Sequence, residues 1–362
     1  MQKMRKNLLV VVDFTAGGAG VGSNADTADT AGAKLSSASV KLLQLARSLT
    51  SGQVVALCPD IEGAGLAAGG EQAVALAEAG ATRAVLPANT PGYDPRIAAG
   101  VADFVQASIS SVAATAVEEI SAVLLVSNYR GREVAANLAV RLGSAAIADA
   151  AGLEVSEAGL RVQKLVLSGS WSTCVHINQG IPAIAVRPGV EPQNAEAASP
   201  TETGETLPLE TVEFALSAAA ASCTVVSSQK ISGTGKANLA EADVVVVGGR
   251  GMDGDFALAE SLAEVLGGAV GATRVACDEG WIDRSVQIGQ TGVSVAPKLY
   301  LGLGVSGATH HTCGIQGAER IVAVCDDPDA PIFELADFGV VGDLTEVVPA
   351  ALEKLAQLQA GN

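Results

Sequence analysis

The stretch "DVVVVGGRGMDGDFALAESLAEVLGG", residues 243–268, passes from four consecutive valines through a glycine-rich turn into a run of leucine and alanine. A valine run of this kind reads as a strand buried on both faces, the pattern of parallel sheets covered by helices. The segment from Phe256 to Gly268 reads as the helix that follows. Strand, tight turn and helix in that order make half of a βαβ unit. Glycines at 248, 249 and 251 admit a tight turn and a close backbone approach, and Arg250 offers a fork for phosphate or carboxylate. "GGRG" is not GxGxxG, so by itself it specifies a strand-to-helix turn and no ligand.

The same alternation extends in both directions. Downstream, "ATRVACD" (272–278), "KLYLGLG" (298–304) and "RIVAVCD" (320–326) read as strands, and "LTEVVPAALEKLAQLQ" (344–359) as a final helix. Upstream, "LLVVVDF" (8–14), "QVVALCP" (53–59), "RAVLPAN" (83–89) and "AVLLVSN" (122–128) are strand-like. They are separated by the helix-like "SSASVKLLQLARSL" (36–49) and "EQAVALAEAGA" (71–81), and "REVAANLAVRLG" (132–143) follows as a third. "TVEFALSAAAASCTVVSS" (211–228) looks like further sheet. The expected fold class is α/β, with two doubly wound, mostly parallel domains. The polar stretch 191–210, rich in Pro, Thr and Glu, is a surface loop of the first domain. The expected boundaries are 1–227 for an N-terminal, nucleotide-binding-like domain and 228–362 for a C-terminal, ligand-binding one.

Composition narrows the function classes. Of 362 residues, 49% are hydrophobic but only 3% aromatic, so the cores are built from Ala, Val, Leu and Ile. The formal net charge of −17 argues against non-specific nucleic-acid binding and against attachment to an anionic membrane. Six cysteines show neither CxxC pairs nor metal-ligand spacing, and read as buried, reduced thiols of a cytoplasmic protein. The basic, then apolar N-terminus has too short an apolar run for a signal peptide and reads as the first strand. The Gly- and Asp-rich stretch 16–32 carries no site, and His176 reads as a structural or surface residue.

Four strand ends could carry chemistry, and all fall on the expected carboxyl edge of the second sheet, where doubly wound folds take ligands. They are "GGRG" with Arg250, Thr273 with Arg274, "QIGQTG" (287–292), and "GVSGATHHTCGIQG" (304–317). The last holds two of the three histidines and reads as a strand end opening a helix, which would aim backbone N–H groups at an anion. Nucleophile elbow, HExxH, Walker A and spaced carboxylate pairs are all missing. An edge of amides and arginines without an acid–base pair suits holding a cofactor better than hydrolysing a substrate.

Over residues 240–350 the sequence closely resembles the α subunits of electron transfer flavoproteins, most specifically in "GQTG…VAPKLY", "GVSGA..H" and "DPDAPIF..ADFGVVGDL". "KLSSASVKLLQLARSL", "RGREVAANLAVRLGSAAIAD" and "PAIAVRPG" extend the likeness more loosely to the N-terminal part. The resemblance implies a redox carrier rather than an enzyme, its C-terminal domain holding FAD. It implies a β subunit as partner, with AMP or a second FAD on that subunit. Electrons would arrive from dehydrogenases, such as the acyl-CoA dehydrogenases of fatty acid β-oxidation, and leave to a quinone reductase, ferredoxin or another acceptor.

Residue by residue, the resemblance places Arg250 and Arg274 against FAD, with Thr273 where the family has Ser or Thr. Gln287, Ile288 and Gly289 lead into Gln290 and Thr291, which would hydrogen-bond the flavin. Ser306, Gly307, Ala308, Thr309, His310 and His311 would contact the ribityl chain and ring. His311 matches the family histidine near the pyrimidine carbonyl, where a cationic or N–H-donating ring would stabilise added negative charge. Asp343 matches a residue on the adenosine side. Cys325 replaces a family Asn, weakening or shifting a contact to adenosine, and His310 stands at a usual Gln. Two alternatives stay open: the α subunit of an electron-bifurcating complex that oxidises NADH, and a non-redox scaffold of the same fold.

Overall fold

The computed structural model describes residues 3–15, 34–60, 66, 69–157, 159–167, 171–190, 206–227 and 239–360. The stretch 16–32, residues 191–205 of the polar loop, and residues 228–238 at the expected domain boundary lie outside that set. The chain divides into two compact units. The first holds the described residues through Leu165 and those from Ser172 to 227; the second holds Val166, Leu167 and Trp171 with residues 239–360. Both are α/β. No helix among the described residues is long and apolar enough to cross a membrane.

The first unit is built on a nine-stranded sheet. Its order is Leu209–Val212, Arg83–Pro87, Val54–Leu57, Asn7–Val11, Ile120–Val126, Ala183–Val186, Ala146–Ser156, Gly159–Val166, Trp171–His176. Pairing is parallel from Leu209–Val212 to Ala146–Ser156, and turns antiparallel with Gly159–Val166. Alternate residues of one strand serve opposite cores. Leu8 and Val10 pack with the helix Ser37–Leu49, whereas Leu9 and Val11 pack with the helix Ala98–Thr115. Burial on both faces is why these strands read as unbroken Val/Leu runs. Ser36 caps the first helix through Ser39 N–H at 3.1 Å, and Asn128 caps Tyr129–Arg141 through Gly131 N–H at 2.7 Å.

The helix Ala98–Thr115 was not expected; most of its apolar positions are buried, and only a narrow stripe through Gln106 and Ser110 is exposed. Within 211–228, read as sheet, the strand ending at Val212 is the only one among the described residues. A short helix, Ala218–Ala221, follows, capped by Ser217. The cysteine expectation is also corrected. All six are free, but Cys174 and Cys223 are exposed and Cys313 half-buried, while Cys58, Cys277 and Cys325 are buried. His176 is exposed at the sheet edge.

At the carboxyl edge of this sheet the chain supplies its own cation. Strands 7–11, 54–57, 83–87 and 120–126 lie in the order third, second, first, fourth. The crevice where such a sheet takes ligands therefore falls between the first and the fourth. Arg130, entering from beyond the fourth strand, pairs there with Asp13 and forks onto both oxygens of Asp60, Nη1–Oδ1 at 2.5 Å and Nη2–Oδ2 at 2.9 Å. Asn128 Nδ2 donates to the other oxygen of Asp13 at 3.0 Å, and Pro95 O accepts from Arg130 Nη1. Burial opposes the guanidinium charge. The Asp60 hydrogen bonds and the charges of Asp13 and Asp60 outweigh that and hold Arg130 protonated well beyond its ordinary range.

The second unit carries a five-stranded, wholly parallel sheet ordered Ala269–Ala272, Val244–Gly248, Leu299–Leu303, Ile321–Cys325, Phe338–Val341. Val246 faces one core with Leu262 and Val348; Val245 and Val247 face the other with Tyr300 and Ile288. In sequence order the strands lie 2-1-3-4-5, so the switch point falls between Val244–Gly248 and Leu299–Leu303. One expectation is overturned. "ATRVACD" is not a strand: the strand is Ala269–Ala272, and Arg274–Asp278 forms a short helix after Thr273. Ala276 and Cys277 turn inward there while Arg274, Val275 and Asp278 stay exposed.

Candidate functional site

At that switch point the second unit has a cavity of about 960 Å³, within the range of about 300–1,000 Å³ for ligand pockets. Its wall is assembled from the ends of four strands. Arg250 and Gly251 follow the first, Thr273, Arg274, Val275 and Asp278 the second, Gly304 to Ala308 the third, and Cys325, Asp326 and Asp327 the fourth. The loop Gln287–Thr291 and both His310 and His311 complete it.

The wall is dense because two turns pack backbone to backbone. A Cβ on Gly249 would lie 2.2 Å from Gly304 O, and one on Gly304, at φ +61°, would lie 2.6 Å from Gly251 Cα. Gly304→Ala therefore combines a strained dihedral with a steric overlap. It is expected to lower stability by about 1–3 kcal/mol, read as a shifted urea midpoint with unchanged slope.

The polar groups are set with specific partners. Gln287, buried, donates from Nε2 to Thr291 Oγ1 at 3.0 Å, which leaves the threonine O–H free to donate elsewhere. Arg274 Nε lies 3.1 Å from Asp278 Oδ2, one helical turn on, and Arg284 holds the other oxygen of that carboxylate. Arg250 is exposed and has no ion pair among the described residues. Gln290 N–H donates to His310 O at 2.7 Å, joining the 287–291 loop to the turn.

His311 sits buried in the cavity wall. It is 5% exposed, and its ring lies 2.8 Å from Tyr300 Oη through Nε2 and 3.1 Å from Ile288 O through Nδ1. A carbonyl only accepts, so Nδ1 carries the proton and Nε2 accepts from the tyrosine hydroxyl. Burial lowers the His311 pKa from 6.5 to about 4, partly offset by the bond to Ile288. The ring is neutral at physiological pH with both nitrogens engaged by protein. His311 also lines the cavity, where the resemblance places it. His310, next to it, is exposed on the same cavity.

Of the residues expected at the site, the cavity brings together Arg250, Thr273, Arg274, Gln287, Ile288, Gly289, Gln290, Thr291, Ser306, Gly307, Ala308, His310, His311 and Cys325. Thr309 and Asp343 do not line it. Asp343 follows the edge strand, and its exposed carboxylate accepts from Thr345 N–H at 2.8 Å and Thr345 O–H at 2.7 Å, capping the last helix. Those bonds hold it below the usual carboxylate range. Asp278, Asp326 and Asp327 were missed. Asp278 was legible only if 274–278 had been read as a helix, where it falls four residues from Arg274.

Known proteins match the same segments. The sequence pattern of the electron transfer flavoprotein FAD-binding domain matches residues 238–316, which include most of the cavity wall. That of the electron transfer flavoprotein domain matches residues 27–217, more than half the chain. The chain belongs to the electron transfer flavoprotein family. Its similarity is to α subunits. It is 42% identical over 233 residues to the electron transfer flavoprotein subunit alpha of Mycobacterium leprae, covering 63% of this chain and 69% of that one. The corresponding subunit of Thermoanaerobacterium thermosaccharolyticum is 36% identical over 241 residues, 66% and 71% of the two chains. The mitochondrial subunit of Arabidopsis thaliana is 53% identical over a shorter 126 residues, 34% and 35%. As an electron transfer flavoprotein α subunit, the chain has FAD as its cofactor, and its FAD-binding domain is the unit that carries the cavity.

Proposed function

We propose that this α subunit holds FAD in the cavity of its second unit and, paired with a β subunit, carries electrons between soluble dehydrogenases and a quinone reductase or ferredoxin. The observation that carries the reading is the open crevice at the switch point, walled by backbone turns and provided with groups that have donors to spare. Bound there, the flavin supplies one- and two-electron redox chemistry. The chain's own residues bind, orient and tune. Arg250, free of an acid partner among the described residues, is the cation for the diphosphate or another anionic part of the cofactor. Thr291, propped by Gln287, has its O–H to donate, and Gln290 presents its side-chain amide beside it. Arg274 brings positive charge whose orientation Asp278 steadies. Cys325, where the family has Asn, offers a weak donor in place of an amide.

His310 presents a second, exposed imidazole on the same cavity. Six free cysteines, two of them exposed, suit a reducing compartment such as the cytoplasm.

An absorption spectrum of the chain purified with its β partner tests the reading. A flavin band that bleaches and recovers on reduction and reoxidation supports it; a colourless pair refutes it. One FAD per pair fits a simple carrier and two fit a bifurcating complex. Arg250→Gln is expected to weaken FAD binding by roughly ten- to a hundredfold, the scale of one hydrogen bond to a charged group. Fluorescence titration of FAD into the stripped protein measures it.

A further inference from the structure

We propose that Arg284 is a positioning residue of the FAD site, an inference that rests on the function proposed above: by holding one oxygen of Asp278, it leaves the charge of Arg274 to act on the flavin. Arg284 itself lies outside the cavity wall. The wall carries two arginines, Arg250 and Arg274, against three aspartates, Asp278, Asp326 and Asp327. For a cofactor with an anionic diphosphate, that balance is short of positive charge.

Asp326 and Asp327 follow Ile321–Cys325, three strand spacings from Ala269–Ala272, or roughly 14 Å. That exceeds the distance over which exposed charges act on one another in physiological salt. At the Arg274 end the balance is therefore set by Arg274, Asp278 and Arg284. Glu279 and Asp283, the other acids of this segment, do not line the cavity, and Asp283 accepts from Ser285 N–H at 2.8 Å.

The backbone fixes the trio. Asp278 closes the short helix that Arg274 opens, so the two side chains meet four residues apart, Nε to Oδ2 at 3.1 Å. Arg284 opens the turn Arg284–Val286, which runs straight into Gln287. Ile288 N–H donates to Ala272 O at 2.9 Å, and Cys277 Sγ lies 3.7 Å from Asp283 O, so turn and helix are pinned at the same strand end. Arg284 Nη2 takes Oδ1, the oxygen that Arg274 leaves. One carboxylate thus serves two guanidiniums, and the trio keeps one net positive charge beside the cavity. Without Arg284, Asp278 would face Arg274 alone and cancel it. Reduction adds negative charge to a flavin, so a positive rim favours the reduced form and a neutral one does not.

The test is a redox titration of the FAD-loaded chain with its β partner at low salt, followed by flavin absorbance. At a fixed potential, Arg284→Gln is expected to lower the reduced-to-oxidised ratio by roughly two- to fivefold, the scale of exposed charge pairs. Asp278→Asn is expected to raise it by a similar factor, and the two substitutions together to return it to the wild-type value. Arg284→Lys keeps the charge and is expected to match wild type. Arg320→Gln removes an equal charge from the amino edge of the same sheet, where Arg320 pairs with Asp337, and is expected to change nothing. An Arg284→Gln ratio equal to wild type overturns the proposal. So does an Asp278→Asn ratio that falls, a double variant that does not return, or an Arg320→Gln effect as large as that of Arg284→Gln. If Arg284→Gln does not load with FAD, Asp278→Asn decides alone, and an unchanged ratio sinks the idea. A wild-type pair that holds no FAD overturns the proposed function itself, and is seen before any variant is made.

Discussion

Replacing Arg130 by methionine is expected to lower the stability of the N-terminal unit by about 2–3 kcal/mol, less than a fully buried ion pair loses because the Arg130, Asp13 and Asp60 side chains stay 16%, 24% and 21% exposed. The substitution keeps a side chain of similar length, so packing changes little. What changes is that Asp13 and Asp60 face each other with no cation between them, and Pro95 O loses a donor. Asn128 still reaches Asp13 but carries no charge. Urea unfolding of Arg130→Met against wild type at pH 7 gives the number. Adding Asp13→Asn and Asp60→Asn to the same chain should recover most of the loss, because the defect is uncompensated charge rather than an empty space. A single-variant loss below about 1 kcal/mol, the level of an ordinary surface pair, would show that the cluster is not a buried one.

The second large effect is a pH dependence written into His311. In the unfolded chain the imidazole takes a proton below pH 6.5, whereas the folded ring refuses one until about pH 4. Between those values the unfolded state binds more protons, so stability falls as pH falls. The contribution is fully present above pH 6.5 and lost as pH drops through about 4, reaching about 3 kcal/mol in all. Tyr300, the titratable group against the ring, stays protonated across this window because burial raises its pKa. Carboxylates titrate in the same range, so the quantity to follow is the difference between wild type and His311→Gln, in which their contributions cancel. Urea midpoints at pH 7, 6, 5 and 4.5 should show the variant gaining on wild type as the medium is acidified. A difference that stays flat would mean that the ring is solvated or already charged.

Much of this molecule was legible in one dimension. Val244–Gly248, Leu299–Leu303 and Ile321–Cys325 are two-face-buried strands and announced themselves as apolar runs. Their glycine-rich ends form the cavity wall. The misreadings have definite causes. "ATRVACD" is too short and mixed to show a period, and its helix depends on Ala276 and Cys277 finding the core. Ala98–Thr115 shows only a narrow polar stripe, Asp103, Gln106 and Ser110, which is easily passed over among its alanines and valines.

The alternation of elements, the family and the strand ends that form the cavity were determined by the sequence itself, because local apolar runs and turn residues act over a few positions. Charge and tautomer were decided only by tertiary structure. His311 is neutral because Tyr300, 11 residues away, and Ile288, 23 away, meet it in a buried place. Arg130 fills the N-terminal crevice because Asp60 and Asp13, 70 and 117 residues away, converge on it. Protonation and ion pairing depend on burial and on partners brought together from distant points of the chain, which a run of letters does not display. The two sheets have similar sequence signatures at their carboxyl edges. One crevice is filled by the chain's own arginine, and the other remains a cavity.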